Sequence, residues 1–212
     1  MKVFYTFIVL LACLILSSRC LAQLDSTSAT FEKLNKKIHE LQNRKASLIL
    51  SYYRSCIGDM VHVQPRDSCI AYDTKYLFWM IDDKCYIQRF DECKTYDSVG
   101  MVNSFVDFVS GNLERLKHAN IKQPLFRTGK GKNSLTTVFI DHTCFSIFYI
   151  FSRNNIFIKK LSDFDLETKK FDGRLNTNYL SNQKSILNKL KVRIEKETAI
   201  YDKNLFNKKG AQ

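Results

Sequence analysis

Cys144-Phe145-Ser146-Ile147-Phe148-Tyr149-Ile150-Phe151-Ser152 decides the fold class. Phe145, Ile147, Tyr149 and Phe151 alternate onto one face of an extended chain, and Phe148 and Ile150 fall on the other. Both faces are apolar, the pattern of a strand buried inside a sheet. Arg153-Asn154-Asn155 is a turn signal and Ile156 to Leu161 a returning strand, while Leu135 to His142 supplies another strand before them. Upstream, Lys75–Ile81 and Cys85–Asp91 flank Asp82-Asp83-Lys84 and read as a second hairpin-like unit. The two units match too poorly in spacing and residue identity to be a repeat.

Helical spacing surrounds these strands. Phe31, Leu34, Ile38, Leu41, Leu48 and Tyr52 predict an amphipathic helix over residues 28–55, its seam interrupted at Lys45. Tyr179, Ile186, Leu187, Leu190, Ile194 and Tyr201 predict a second over 178–204. Val102, Phe105, Val106, Val109, Leu113 and Leu116 predict a middle helix over 102–119, broken only by Gly111. The expected architecture is α+β: an antiparallel sheet of two hairpin-like units, long N- and C-terminal amphipathic helices and one middle helix. The terminal helices are expected to lie antiparallel, within one chain or across a homodimer.

With 212 residues, 45% hydrophobic and 25% charged, and only 7 Gly and 2 Pro, the chain is neither disordered nor collagen-like. The expected organisation is a leader over 1–22, one globular domain over 23–206 and a frayed polar tail over 207–212. Lys2, the uncharged run Val3–Leu16 and the small residues ending at Ala22 form a secretory signal peptide pattern. The apolar run is too short for a membrane span, and no later stretch is longer. The mature chain is therefore expected to be secreted or periplasmic, with no transmembrane span. Lipid attachment at Cys13 is the alternative, since Leu10-Leu11-Ala12-Cys13 loosely resembles a bacterial lipobox; Cys20 fits worse because Arg19 precedes it. No asparagine sits in an Asn-x-Ser/Thr acceptor, in keeping with a bacterial route.

The formal charge is +12, and loss of Lys2 and Arg19 with the leader takes it to +10. Between Glu114 and Asp141 there is no acid, whereas Lys117, Lys122, Arg127, Lys130 and Lys132 all fall there. These five are the candidate binding residues for an anionic envelope polymer; the bland reading is a solvated basic loop. Gly129-Lys130-Gly131-Lys132 lacks Walker spacing, and nothing marks a specific nucleic-acid site.

Five cysteines follow the leader: Cys56, Cys69, Cys85, Cys93 and Cys144. In an oxidising compartment they should pair, leaving one thiol spare or shared with a second chain, a further route to a homodimer. Cys56–Cys69 would close a turn-rich loop, and Cys93–Cys144 is the second pair expected, because Cys85 and Cys93 stand at opposite ends of one strand. Cys56, His62 and Cys69 are spaced too widely for a typical zinc site, so neither metal nor cofactor is expected.

His142 and Cys144, two apart on a strand, project to one face and are the weak candidates for catalysis. The bland reading is a buried or bonded cysteine in an apolar strand. Asp82-Asp83, Asp91-Glu92 and Asp163/Asp165 are paired carboxylates that turn chemistry explains. The function expected is that of a small exported basic bacterial envelope protein of binding or scaffolding type. The alternative is a periplasmic thiol hydrolase or thiol enzyme using Cys144 and His142.

Overall fold

The computed structural model describes residues 28–57, 74–128, 134–138, 140, 142–153 and 155–209, with side chains through residue 205. The fold is mixed α+β, built on a six-stranded antiparallel sheet. In chain order its strands are β1 (Leu48–Cys56), β2 (Lys75–Ile81), β3 (Lys84–Phe90), β4 (Val99–Met101), β7 (Cys144–Ser152) and β8 (Asn155–Ser162). The spatial order is β4-β3-β2-β1-β7-β8. The stretch 144–152 is an interior strand as its composition requires, paired to β1 on one side and β8 on the other. Phe148 and Ile150 are fully buried.

Tight turns fix the register. Ile81 opposes Lys84, so Asp82 and Asp83 alone make the turn, with φ of 50° and 55°. Two successive left-handed residues give a turn whose twist matches that of the flanking strands, and Asp tolerates that region better than most side chains. Ser152 opposes Asn155, leaving another two-residue connection.

The predicted helix over 28–55 is shorter than its periodicity suggests. Helix α1 spans Ala29–Asn43, starting where the Ser28 hydroxyl accepts the Phe31 N–H. It stops at Lys45, whose φ is 58°. The N–H groups of Lys45 and Ala46 turn back to the carbonyls of Gln42 and Leu41, which closes the helix in a Schellman motif without glycine. Leu48, Ile49 and Leu50 are then buried in succession, which a strand apolar on both faces satisfies and a one-sided helix does not.

Two further helices divide where polar residues offer caps. The predicted middle helix is α2 (Ser104–Ser110) and α3 (Leu113–His118), separated by Gly111-Asn112; the Asn112 amide donates to the Phe108 carbonyl and ends α2. At the C-terminus, α5 (Tyr179–Gln183) is separated from α6 (Ile186–Lys209), and Ser185 Oγ accepts the Asn188 N–H as an N-cap. The α6 backbone is helical to Lys209, past Phe206 where fraying is expected. Leu135–His142 is not a strand of the main sheet. Among the described residues there, only β6 (Leu135–Thr136) forms, paired with β5 (Phe126–Arg127). A second small ladder, β9 (Lys170–Phe171) with β10 (Arg174–Leu175), follows α4 (Asp163–Glu167).

The terminal helices do not pack together within the chain, because the sheet separates them. Leu34, Ile38 and Leu41 of α1 cover Ile49, Leu77, Trp79, Ile81 and Phe90 on one face. Leu187, Leu190, Ile194 and Tyr201 of α6, with α2 and α3, cover Leu48, Leu50, Phe78, Phe148 and Ile150 on the other. A sheet apolar on both faces recruits both helices more strongly than they recruit each other. Lys75 is fully buried at the α1 face, its ammonium 3.9 Å from the Phe31 ring centroid and 4.8 Å from that of Tyr53.

Candidate functional site

At the end of β1, Arg54 stands between two polar hollows of about 450 and 530 Å³. The strand places it opposite Ser146 of β7, and it pairs with Asp163. That bond holds the guanidinium pKa above its ordinary value. Asp163 sits at the start of α4, fixed by Ser162, whose hydroxyl caps the helix by accepting the Asp165 N–H.

Behind Arg54, Lys191 of α6 lies among three carboxylates: Asp163 at 3.7 Å, Glu167 at 3.3 Å and Glu195 at 3.0 Å. Burial works to lower its pKa, but the hydrogen bonds and charges of Glu195, Asp163 and Glu167 outweigh it and the pKa rises. The lysine stays an ammonium, and its carboxylates are committed to it.

The second hollow has a further polar network on its wall. The Tyr76 hydroxyl donates to Asp202 Oδ2 at 2.6 Å, and Arg89 reaches Asp202 Oδ1 at 3.2 Å. Arg89 also pairs with the fully buried Asp91 at 3.2 Å and lies over the Tyr96 ring. Burial works to raise the Asp91 pKa, but the Lys94 N–H, the Tyr96 hydroxyl, Arg89 and the Cys93 N–H together hold it down. Burial and the Asp202 carboxylate push the Tyr76 phenol well above its usual range.

His142 and Cys144 do line the first hollow, as their spacing suggests. Cys144, however, is bonded to Cys56 across β1 and β7, with Cα atoms 3.9 Å apart. Register puts these two residues directly opposite each other, which brings their sulfurs together. The expected pairs Cys56–Cys69 and Cys93–Cys144 are therefore replaced by Cys56–Cys144, and a thiolate at Cys144 is unavailable while the bond stands. His142 is exposed beside it. Cys93 is also disulfide-bonded, and Cys85 is a buried free thiol whose pKa burial raises. Cys69 and His62 lie outside the described residues, as do Cys13, Cys20 and the expected leader over 1–22. Among the described residues no group of His, Cys, Asp and Glu is placed to hold a metal.

Three of the five candidate cations fall among the described residues. Lys117 donates to Asn155 at the start of β8, and the Lys122 main chain exchanges two hydrogen bonds with the Asn182 side chain. Arg127 is exposed on β5. Lys130 and Lys132 lie outside the described residues. Arg127 instead joins residues distant in sequence: a bridge from Phe126 to Asn176 sets β10 beside β5. By register Arg127, Leu135, Leu175 and Lys170 then share the outer face of this small platform, and all four are exposed.

Sequence reasoning missed Arg54, Lys191, Arg89, Tyr76 and Asp202, and assigned Asp163 to turn chemistry alone. They come from β1, β2, β3, α4 and α6, and no local spacing signals their convergence. Chemically the cleft is a set of mutually neutralised ions around Arg54, able to hold a polar ligand by hydrogen bonds. No family model matches the chain, and neither does any curated protein or solved structure. No helix among the described residues is long and apolar enough to cross a membrane.

Proposed function

We propose that this chain is a small, exported, basic protein of the bacterial envelope that binds or scaffolds an anionic envelope polymer or a protein partner. The observation that supports this most is the Cys56–Cys144 disulfide. A bond between two interior strands fits an oxidising compartment, and it converts the one sequence-level nucleophile into a structural cross-link. The acids of the cleft are engaged by Arg54, Lys191 and Arg89, an arrangement suited to holding shape. The excess of cations favours anionic partners through long-range attraction.

The test is the intact mass of the exported protein, non-reduced, with and without alkylation of the native state. A chain starting at Gln23, carrying the Cys56–Cys144 bond and no label on Cys144, is the expected result. A native Cys144 that alkylates readily, or a chain that stays in the cytosol, overturns the proposal.

A further inference from the structure

Among the described residues, one helical layer of this fold covers only part of its face of the sheet. The six-stranded sheet is about 24 Å wide at roughly 4.8 Å per strand spacing. Helix α1 lies over β2 and β3, and a helix with its side chains is only about 10 Å across. Beside it, over β7 and β8, no described element covers a strip of about one helix width on this face. Its floor is set by register: Phe151 opposes Ile156, and Tyr149 opposes Ile158. Ile156 is 72% exposed and Ile158 48% exposed. Next to the last turn of α1 the strip deepens into a groove of about 460 Å³, floored by Ile49, Phe151 and Ile156 and rimmed by Lys45 and Arg153. At its far end Lys160 lies 3.9 Å from the Phe145 ring centroid. Neither β7 nor β8 contains an acid.

We propose that this strip docks an amphipathic helix with acidic flanks, supplied by a partner protein. The inference rests on the reading of the chain as a binding protein. Apolar floor and cationic rim match the two faces of such a helix, and a rod of that width completes the layer α1 begins. A second copy seated face to face would bring Lys45, Arg153 and Lys160 against their own counterparts. A planar bilayer is held off the groove floor by α1, and a soluble polyanion would leave the isoleucines wet.

The probe is a labelled peptide of about five helical turns with Leu and Ile at i, i+3, i+4 and i+7 and Glu on both flanks, titrated against the full mature chain. A Lys-flanked twin and phosphatidylglycerol vesicles are the controls. Saturable binding of the acidic peptide is expected, about tenfold weaker for the twin, for Ile156→Asp and for the Arg153→Glu/Lys160→Glu pair, with the circular dichroism of each variant unchanged. Ile156 is exposed, so its substitution leaves the fold intact. Absence of binding, equal binding of both peptides, indifference to Ile156→Asp, or a preference for vesicles or self-association overturns the proposal. A cytosolic chain with a reactive Cys144 would instead overturn the binding reading beneath it.

Discussion

The Tyr76 hydroxyl donates to Asp202 Oδ2 at 2.6 Å across 126 residues of sequence, joining β2 to α6. Arg89 bonds the other carboxylate oxygen. A hydrogen bond to a charged acceptor contributes about 2 kcal/mol, so Tyr76→Phe should lower the unfolding free energy by about that much, read as a lower urea midpoint at unchanged slope. Asp202→Ala should cost at least as much, because it also strips Arg89 of a partner. The double variant should lose clearly less than the sum, since both residues serve one bond. Strict additivity would show that the bond contributes nothing in solution.

Acid sensitivity follows from Asp91. Its pKa is below the unfolded value, so its contribution is fully present above the unfolded carboxylate pKa of about 4 and is lost as pH falls through the folded one. Unfolding free energy measured from pH 5 downward should decline, and Asp91→Asn should flatten that decline. At the alkaline end the sign reverses. Burial raises the Tyr201 phenol to about 12, with its hydroxyl donating to the Asp97 carbonyl at 2.8 Å. Stability present below pH 10 should fall above it, and Tyr201→Phe should reduce the fall.

The Cys56–Cys144 bond closes 88 residues of sequence. By loop-closure entropy it should stabilise the chain by about 4 kcal/mol, and Cys56→Ser/Cys144→Ser should lose that much on chemical denaturation. Peptide mapping without reduction should recover the cross-linked pair, leave Cys85 as a thiol labelled only after unfolding, and find Cys93 in a second bond. Recovery of a Cys56–Cys69 peptide would refute this connectivity.

Lys45 closes α1 at a φ of 58°, a conformation that costs a residue with a Cβ about 1 kcal/mol and glycine almost nothing. Lys45→Gly should therefore raise the melting temperature by several degrees. A lower melting temperature would mean that the lysine side chain contributes more than its backbone costs.

Much of the sheet was legible because its signals are local. The run 144–152 shows period-two alternation with apolar residues on both faces, and Asp82-Asp83 is turn chemistry that leaves almost no choice of register. Residues 48–56 misled because Leu48 and Tyr52 continue a helical spacing begun at Phe31, while the stop at Lys45 carries no glycine to announce it. The middle and C-terminal helices were placed correctly but not their breaks, since Asn112 and Ser185 act through side-chain hydrogen bonds that periodicity does not register.

The sequence by itself determined the α+β class, the central strand, the first hairpin, the excess of positive charge and the supply of cysteines, all of which depend on neighbours within a few residues. Tertiary structure alone decided that the terminal helices lie on opposite faces, that Cys56 meets Cys144, and that Arg54, Asp163, Lys191, Arg89 and Asp202 converge. Those outcomes depend on strand order and register, and 88 or more residues separate some of the partners. Contacts at such range are selected by burial of the whole sheet rather than by any local preference.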